Sequence, residues 1–246
     1  MNLKEYRATE SEKKRTEDLV RLIGLVSNKG KNVLDIGARD GHFSILLTKF
    51  YENVTALDLT KPSIVHENIN CVQGDITNLD FSDSSFDFVF CAEVIEHIPP
   101  HLLHKACSEL GRVSKEHLLI GVPYKQDIRV DRTTCYSCGK KNPPWGHVNS
   151  FNRKKLQSLF PDFEVTETSF VGENNAHTNF VSTFFMDLAG NPYGTYSQEE
   201  GCIHCGTKLT HPPERSLLQK VFTKMAFYTQ YFERFLSKPH ANWIHL

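Results

Sequence analysis

The sequence lacks any apolar run close to the roughly 20 residues that a membrane-spanning helix requires. Its N-terminal stretch, MNLKEYRATESEKKR, is highly charged and lacks the apolar centre of a secretory signal peptide. These two absences predict a cytoplasmic protein without a transmembrane segment.

The chain also lacks a strong excess of charge of either sign, since 28 Lys and Arg oppose 29 Asp and Glu. A general nucleic-acid-binding surface is normally strongly basic, so the net charge of −1 argues against one. The seven cysteines, an odd number, do not indicate a disulfide framework in a reducing compartment. A length of 246 residues allows one substantial domain with a large insertion.

Short apolar runs alternate with helical patterns in the first half of the chain. Such runs are typical of strands in a parallel sheet that helices cover on both faces. The predicted strands are 32–37, 53–59, 69–75, 86–94 and 117–123, and the predicted helices are 4–27, 43–51 and 100–114. The expected fold class is therefore α/β, with a doubly wound and mostly parallel sheet.

From residue 124 the sequence is polar and rich in turn residues. A helix is predicted at 152–160 and a strand at 162–171, while 179–189 fits either. An amphipathic helix is predicted from Glu214 to Leu236, with Leu218, Phe222, Met225, Tyr228 and Phe232 on one face, and NWIHL is a terminal strand. We divide the chain into an N-terminal helix (1–30), a core (31–123), a region with an insertion (124–212) and a C-terminal helix and strand (213–246).

A glycine loop joins the first predicted strand to the first helix of the core. In VLDIGARDGHF, Gly37 and Gly41 allow a tight turn and a close approach of a ligand to the backbone. Asp58 ends the second strand about 20 residues further on, where such folds hold a ribose. The combination within one βαβ unit indicates a cofactor of the adenosine type.

The spacing Asp35-x-Gly37-x-x-x-Gly41 resembles motif I of the class I S-adenosylmethionine-dependent methyltransferases. GDITNLDF (74–81) and SFDFVFCAEVIEHIPP (85–100) are similar to the family's segments after the third strand and around the fourth. The resemblance covers residues 30 to 123 and implies a Rossmann-like methyltransferase sheet. Arg39 departs from the family, many of whose members have glycine at that position.

The resemblance implies S-adenosylmethionine as the cofactor. It assigns the ribose to Asp58, the adenine amino group to the segment of Asp75 and Ile76, and the methionine part to Ala92 and Glu93, with Asp35, Gly37 and Gly41 in the loop beneath. The protein then supplies position and electrostatics for a methyl transfer that the cofactor makes possible.

An oxygen or nitrogen acceptor must lose a proton, and histidine is the commonest general base because it titrates near neutrality. Two histidines lie on the expected ligand side of the sheet, namely His97 after the fourth strand and His147 after the fifth. The alternative for each is a packed, hydrogen-bonded structural histidine.

Two C-x-x-C-G motifs form the one internal repeat, CYSCG (135–139) and CIHCG (202–206). Each resembles a zinc knuckle, in which two thiolates hold one edge of a tetrahedral ion and the glycine permits the turn. We predict a structural zinc held by Cys135, Cys138, Cys202 and Cys205. A redox pair is the alternative, but both motifs lie in irregular segments and not at the start of a helix. Cys71, Cys91 and Cys107 are expected in the core.

The segment 125–155 carries eight Lys and Arg against two Asp, a net charge of +6. Because it follows the fifth strand, we predict that it recognises an anionic small-molecule acceptor, such as a sugar phosphate, nucleotide sugar or lipid-linked phosphate. A solvated basic face is the alternative. The predicted function is methyl transfer to an oxygen or nitrogen of that acceptor.

Two other functions remain open, an RNA methyltransferase and a non-catalytic binding protein on the same fold. The C-terminal helix is expected to cover the sheet or to pair with a second subunit in a homodimer, and contact with a membrane surface is a further alternative.

Overall fold

The computed structural model describes residues 3–26 and 30–246. The chain divides into two units. The sheet unit comprises Ala8–Tyr124, Phe151–Gly172 and Ala241–Leu246, and the cysteine unit comprises Met1–Arg7, Lys125–Ser150 and Glu173–His240. Each unit is therefore assembled from three separate stretches of sequence.

The helices are α1 (Leu3–Arg7), α2 (Glu10–Val26), α3 (His42–Leu47), α4 (Leu103–Val113), α5 (Arg153–Ser158), α6 (Phe180–Leu188) and α7 (Leu217–Leu236), with a short 3-10 helix at Pro144–Gly146. The strands are β1 (Asn32–Ile36), β2 (Asn53–Asp58), β3 (Ile69–Gln73), β4 (Phe86–Ala92), β5 (Ser114–Pro123), β6 (Thr133–Thr134), β7 (Lys141–Asn142), β8 (Ser169–Val171) and β9 (Trp243–His245).

The sheet unit contains a seven-stranded sheet in the order β3-β2-β1-β4-β5-β9-β8. Strands β1 to β5 pair in parallel, and β9 runs antiparallel to both β5 and β8. The strands carry runs of apolar residues because both faces of the sheet are buried. The prediction of a doubly wound, mostly parallel sheet is confirmed.

Two apolar clusters cover the two faces of this sheet. One includes Leu34 and Val89 from the strands and Leu110 and Leu156 from α4 and α5. The other combines alternate strand residues such as Val33 and Phe88 with α2 and α3. Neighbouring residues of one strand thus point to opposite faces, as the period of two requires.

Sequence patterns set the ends of two elements incorrectly. The helix predicted at 4–27 is interrupted, and α2 starts after Thr9, whose Oγ1 accepts the N–H of Glu12 at 3.3 Å. Of the strand predicted at 162–171, only β8 forms. Its residues pair with the three residues of β9.

The cysteine unit contains the hairpin of β6 and β7 and the helix pair α6 and α7. Residues 179–189, which fitted either a helix or a strand, form α6 with a capping box at Asn179 and Ser182. The prediction for Phe222 is wrong, because Phe222 stacks on Phe185 of α6 with ring centroids 6.1 Å apart. It therefore lies on a different face of α7 from Tyr228, which is exposed.

Across the described ranges 3–26 and 30–246, no helix has both the length and the apolar character needed to cross a bilayer.

Candidate active site

The turn after β1 brings backbone, not side chain, to the carboxyl edge of the sheet. Gly37 has a φ of +77°, and its N–H donates to the carbonyl of Leu57 at 2.8 Å. A Cβ on Gly37 would lie 2.4 Å from Cγ2 of Val94, so only glycine fits without a shift. The turn, called the cradle below, is thus packed closely against Val94.

Asp58 is the last residue of β2 and lies immediately beside this turn. Its Oδ2 accepts the backbone N–H of Arg39 at 2.9 Å, and Arg39 adopts a φ of +45°. The hydrogen bond ties the glycine turn to the end of the second strand. Gly41, with a φ of +81°, closes the turn.

Asp35 is buried and does not reach the surface. Its Oδ2 accepts the hydroxyl of Ser44 at 2.5 Å, which joins β1 to α3. Burial raises the pKa of Asp35 to about 7, against the lowering effect of the Ser44 hydrogen bond. The residue therefore supports the turn from below.

Asp75 lies on the loop after β3 and is exposed. Its Oδ1 accepts the N–H of Thr77 at 2.8 Å, which holds the loop in a compact turn. Ile76, directly after it, is buried with 5% exposure. Asp58, the last residue of β2, and Asp75, two residues after β3, thus lie at the ends of adjacent parallel strands, at the same sheet edge.

The chain bends sharply after Ala92, the last residue of β4. Glu93 has a φ of +58°, and its N–H donates to the carbonyl of Gly121 at 2.9 Å. Burial raises the pKa of Glu93 to about 7, although the nearby cation of Arg15 lowers it. Arg15 is itself buried against Glu12, with Nε 2.8 Å from Oε2.

The two predicted bases lie in different units. His97 is half-buried in the sheet unit, and its N–H donates to the carbonyl of Val94 at 3.0 Å. His147 is buried in the cysteine unit, with Nδ1 2.6 Å from Oε1 of Gln126. A role as general base stays a prediction for both. Near His97, Glu96 is fully buried, and burial raises its pKa well above the ordinary range.

The four predicted zinc ligands converge. The Sγ atoms of Cys135 and Cys205 are 3.7 Å apart, those of Cys138 and Cys202 are 3.6 Å apart, and all four lie within 4.8 Å of one another. A tetrahedron with Zn–S bonds of about 2.3 Å has edges of about 3.8 Å between its sulfur atoms. The cluster therefore has the size and the donor set that zinc requires.

The two knuckles have the same backbone geometry. In each, the glycine directly after the second cysteine donates its backbone N–H to the carbonyl of the first cysteine. Gly139 donates to Cys135 and Gly206 to Cys202, both at 2.8 Å. Both glycines have a φ of +72°. The repeat in sequence is thus a repeat in structure, which favours one shared ion over a redox pair.

Ion pairs neutralise part of the basic segment. Within the cysteine unit, Arg129 pairs with Asp127 at 2.8 Å, and Asp187 accepts from Arg132 and lies 3.4 Å from Lys141. Other cations of the segment are exposed, including Lys125, Lys140, Arg153 and Lys154. The segment is also divided, since residues from Phe151 onward belong to the sheet unit.

Sequence reasoning missed the supports of the site. Asp35 is hydrogen-bonded by Ser44, and Gly37 lies against Val94. Glu93 lies near the cation of Arg15, which is paired with Glu12. The i, i+3 spacing of Glu12 and Arg15 was a readable signal for an ion pair, but not for its burial.

Residues 34–118 match the family model described as a methyltransferase domain. Among curated proteins, the chain is similar to the uncharacterized methyltransferase YcgJ of Bacillus subtilis, with 27% identity over 158 residues. That match covers 58% of this chain and 61% of YcgJ, so the chain spans less than two thirds of its relative.

Two solved structures share the fold. One is the N-methyltransferase NodS from Bradyrhizobium japonicum in complex with S-adenosyl-L-homocysteine, with a TM-score of 0.50, 20% identity, and coverage of 67% of this chain and 81% of that one. The other is the Burkholderia thailandensis 1,6-didemethyltoxoflavin-N1-methyltransferase with bound S-adenosylhomocysteine, with a TM-score of 0.51, 16% identity, and coverage of 63% and 69%. With its motifs and sheet order, the segment 34–118 belongs to the class I S-adenosylmethionine-dependent methyltransferases.

Proposed function

We propose that the chain binds S-adenosylmethionine at the carboxyl edge of its parallel sheet and transfers the methyl group to an oxygen or nitrogen of a small acceptor. The observation that carries the proposal is the placement of Asp58 and Asp75 at the carboxyl ends of adjacent strands, with Asp58 hydrogen-bonded to the turn that contains Gly37. Ligands of open α/β sheets bind at this edge.

Each residue of the edge has a role in the proposal. Asp58 accepts hydrogen bonds from the ribose hydroxyls, and Asp75 accepts one from the adenine amino group beside the apolar Ile76. The Gly37 turn lies against the methionine part, together with Ala92 and Glu93. Asp35 keeps the turn in place through Ser44.

The reaction is an in-line displacement at carbon. S-adenosylmethionine, when bound, would supply the methyl group and the thioether leaving group for attack by a lone pair of the acceptor. The acceptor's proton passes to a base, for which His97 and His147 are the candidates. Replacing each with Asn and comparing the pH dependence of kcat would separate a base from a structural histidine.

The proposed acceptor is anionic, and the support for this comes from Arg153 and Lys154, exposed cations of the basic segment that belong to the sheet unit. Hexose phosphates and nucleotide sugars should be methylated at least tenfold more efficiently than the corresponding neutral sugars. Equal kcat/KM values for charged and neutral acceptors would contradict this part of the proposal.

The second proposed cofactor is a structural zinc on the four cysteines. Four thiolates complete the tetrahedron and leave no position for a substrate, so the ion would stabilise the cysteine unit and take no part in the transfer. Cys205 and its three partners supply the whole ligand set.

Calorimetric titration with S-adenosylhomocysteine tests the cofactor site directly. Asp58→Ala should weaken binding at least tenfold, whereas Asp80→Ala, at an exposed acid on the loop after β3, should not change it. If the wild-type chain does not bind S-adenosylhomocysteine, the enzymatic function is wrong and a binding protein on this fold is the remaining candidate.

A further inference from the structure

The helix α7 carries an unusual row of exposed apolar side chains. Six of them follow a strict spacing of three and four residues: Leu218, Val221, Met225, Tyr228, Phe232 and Phe235. This is the a/d pattern of a coiled coil, in which one narrow stripe of a helix packs against another helix. We call these six residues the α7 seam.

The seam is not the face that packs within the cysteine unit. That face includes Thr223 and Ala226, which are buried, and Phe222, which stacks on Phe185 of α6. A helix advances by 100° per residue, so these three positions point about 90° or more away from the middle of the seam, with Phe222 at its border. The α6 contact therefore leaves the seam without a cover among the described residues.

The exposed area is large enough for a stable contact. The six side chains are between 40% and 73% exposed. At on the order of 200 Å² for a large apolar side chain, they expose roughly 700 Å². Each partner of a standard-size protein interface contributes about 800 Å².

The two halves of the seam are complementary in size. Leu218, Val221 and Met225 form an aliphatic half, and the other three residues form an aromatic half. When two such helices pair in opposite directions, each bulky aromatic side chain faces a smaller aliphatic one. A parallel pairing would instead place aromatic side chains opposite one another.

We propose that the α7 seam is a dimer interface that takes the α7 seam of a second copy of this chain, in antiparallel orientation about a two-fold axis. Self-complementary patches of this kind are the basis of two-fold dimers. A membrane-surface helix, in contrast, needs a strongly cationic polar face, and the sequence of α7 carries Lys220, Lys224 and Arg234 against Glu233, a net charge of only +2 over 20 residues. This inference does not depend on the proposed function.

Sedimentation velocity of the full chain tests the interface. The wild-type chain should be a dimer at micromolar concentration. Val221→Lys and Phe232→Glu, each alone, should raise the dimer dissociation constant at least a hundredfold. Phe180→Glu, at a 79% exposed position on α6 outside the seam, is the matched control and should remain dimeric.

Mixing the two seam variants tests both the orientation and the folding of the variants. In the antiparallel pair, position 221 of one copy faces position 232 of the other, so the mixture should form a heterodimer held by one ion pair and one native contact. A monomeric wild-type chain, an unaffected variant, or a mixture that stays monomeric would overturn the proposal. Sedimentation of the wild-type monomer with vesicles of phosphatidylcholine and phosphatidylglycerol would assign the seam to a membrane instead.

Discussion

Nδ1 of His245, in β9, lies 2.6 Å from Oδ2 of Asp18, in α2. Both residues belong to the sheet unit, although 227 positions separate them in sequence. Burial would raise the pKa of Asp18, but hydrogen bonds from His245, Ser169 and Arg21 outweigh it and lower that pKa to about 2. Asp18 is therefore ionised at neutral pH and accepts the Nδ1–H of the imidazole.

The free energy of unfolding should fall as the pH drops below about 6.5. Burial lowers the pKa of His245, and the opposing effect of Asp18 is smaller, so the folded chain keeps this imidazole neutral. The unfolded chain takes up a proton near the ordinary pKa and is favoured at lower pH. Thermal melts of the wild type between pH 7.5 and 5.5 should show the decline. His245→Asn, which keeps a donor near Nδ1, should flatten it, while the exposed control His101→Asn should not.

Glu93→Gln should have opposite effects on stability and on cofactor affinity. Because the pKa of Glu93 is raised to about 7, its contribution to stability is present below about 4.5 and is lost as the pH rises through 7. The variant should therefore melt at a higher temperature than the wild type at pH 8 and at the same temperature near pH 4.5. If Glu93 contacts the methionine part, S-adenosylhomocysteine should bind the variant about tenfold more weakly at pH 8. Glu116→Gln, at an exposed acid, should change neither quantity.

Gly37→Ala should weaken cofactor binding at least tenfold and lower the melting temperature. The added methyl group would lie 2.4 Å from Cγ2 of Val94, and a φ of +77° is unfavourable for alanine. Val94→Ala in the same chain should restore part of the affinity by removing the steric conflict. Gly24→Ala, in α2, is the control, because its Cβ would meet Phe50 at an ordinary 3.9 Å. An unchanged dissociation constant for Gly37→Ala would contradict the proposed cradle.

The double variant Cys135→Ser, Cys202→Ser should lose the zinc. Elemental analysis should give one zinc per wild-type chain and less than a tenth of that in the variant, since each knuckle keeps only one thiolate. Proteolysis should become faster within 125–150 and 190–212, while affinity for S-adenosylhomocysteine stays within about threefold. Cys71→Ser, outside the cluster, should keep the metal. Wild-type zinc content in the double variant would refute the shared site.

The strands and their order along the chain were readable because burial on both faces demands continuous apolar runs, as in β1 and β4. The two knuckles were readable because the repeat is local. The pairing of β9 with β5 and β8 could not be predicted, because a pattern of three residues does not indicate which strands lie beside them.

The burial of charged side chains was the second feature that could not be predicted from the sequence. Glu12 and Arg15 lie in a highly charged stretch, yet their exposures are 2% and 5%. Asp35 was assigned to the cofactor loop by its position, and its hydrogen bond to Ser44 depends on the packing of α3. Such contacts depend on tertiary structure and produce no periodic pattern in the sequence.

The position of β9 has a consequence for the exposed edges of the sheet. Strand β9 pairs with β5 on one side and with β8 on the other, so β8 joins the sheet through β9. When β9 is detached, β5 exposes an unpaired edge, and open edges of this kind are sites at which chains join one another. The three residues of β9 therefore protect the whole sheet from edge-to-edge association.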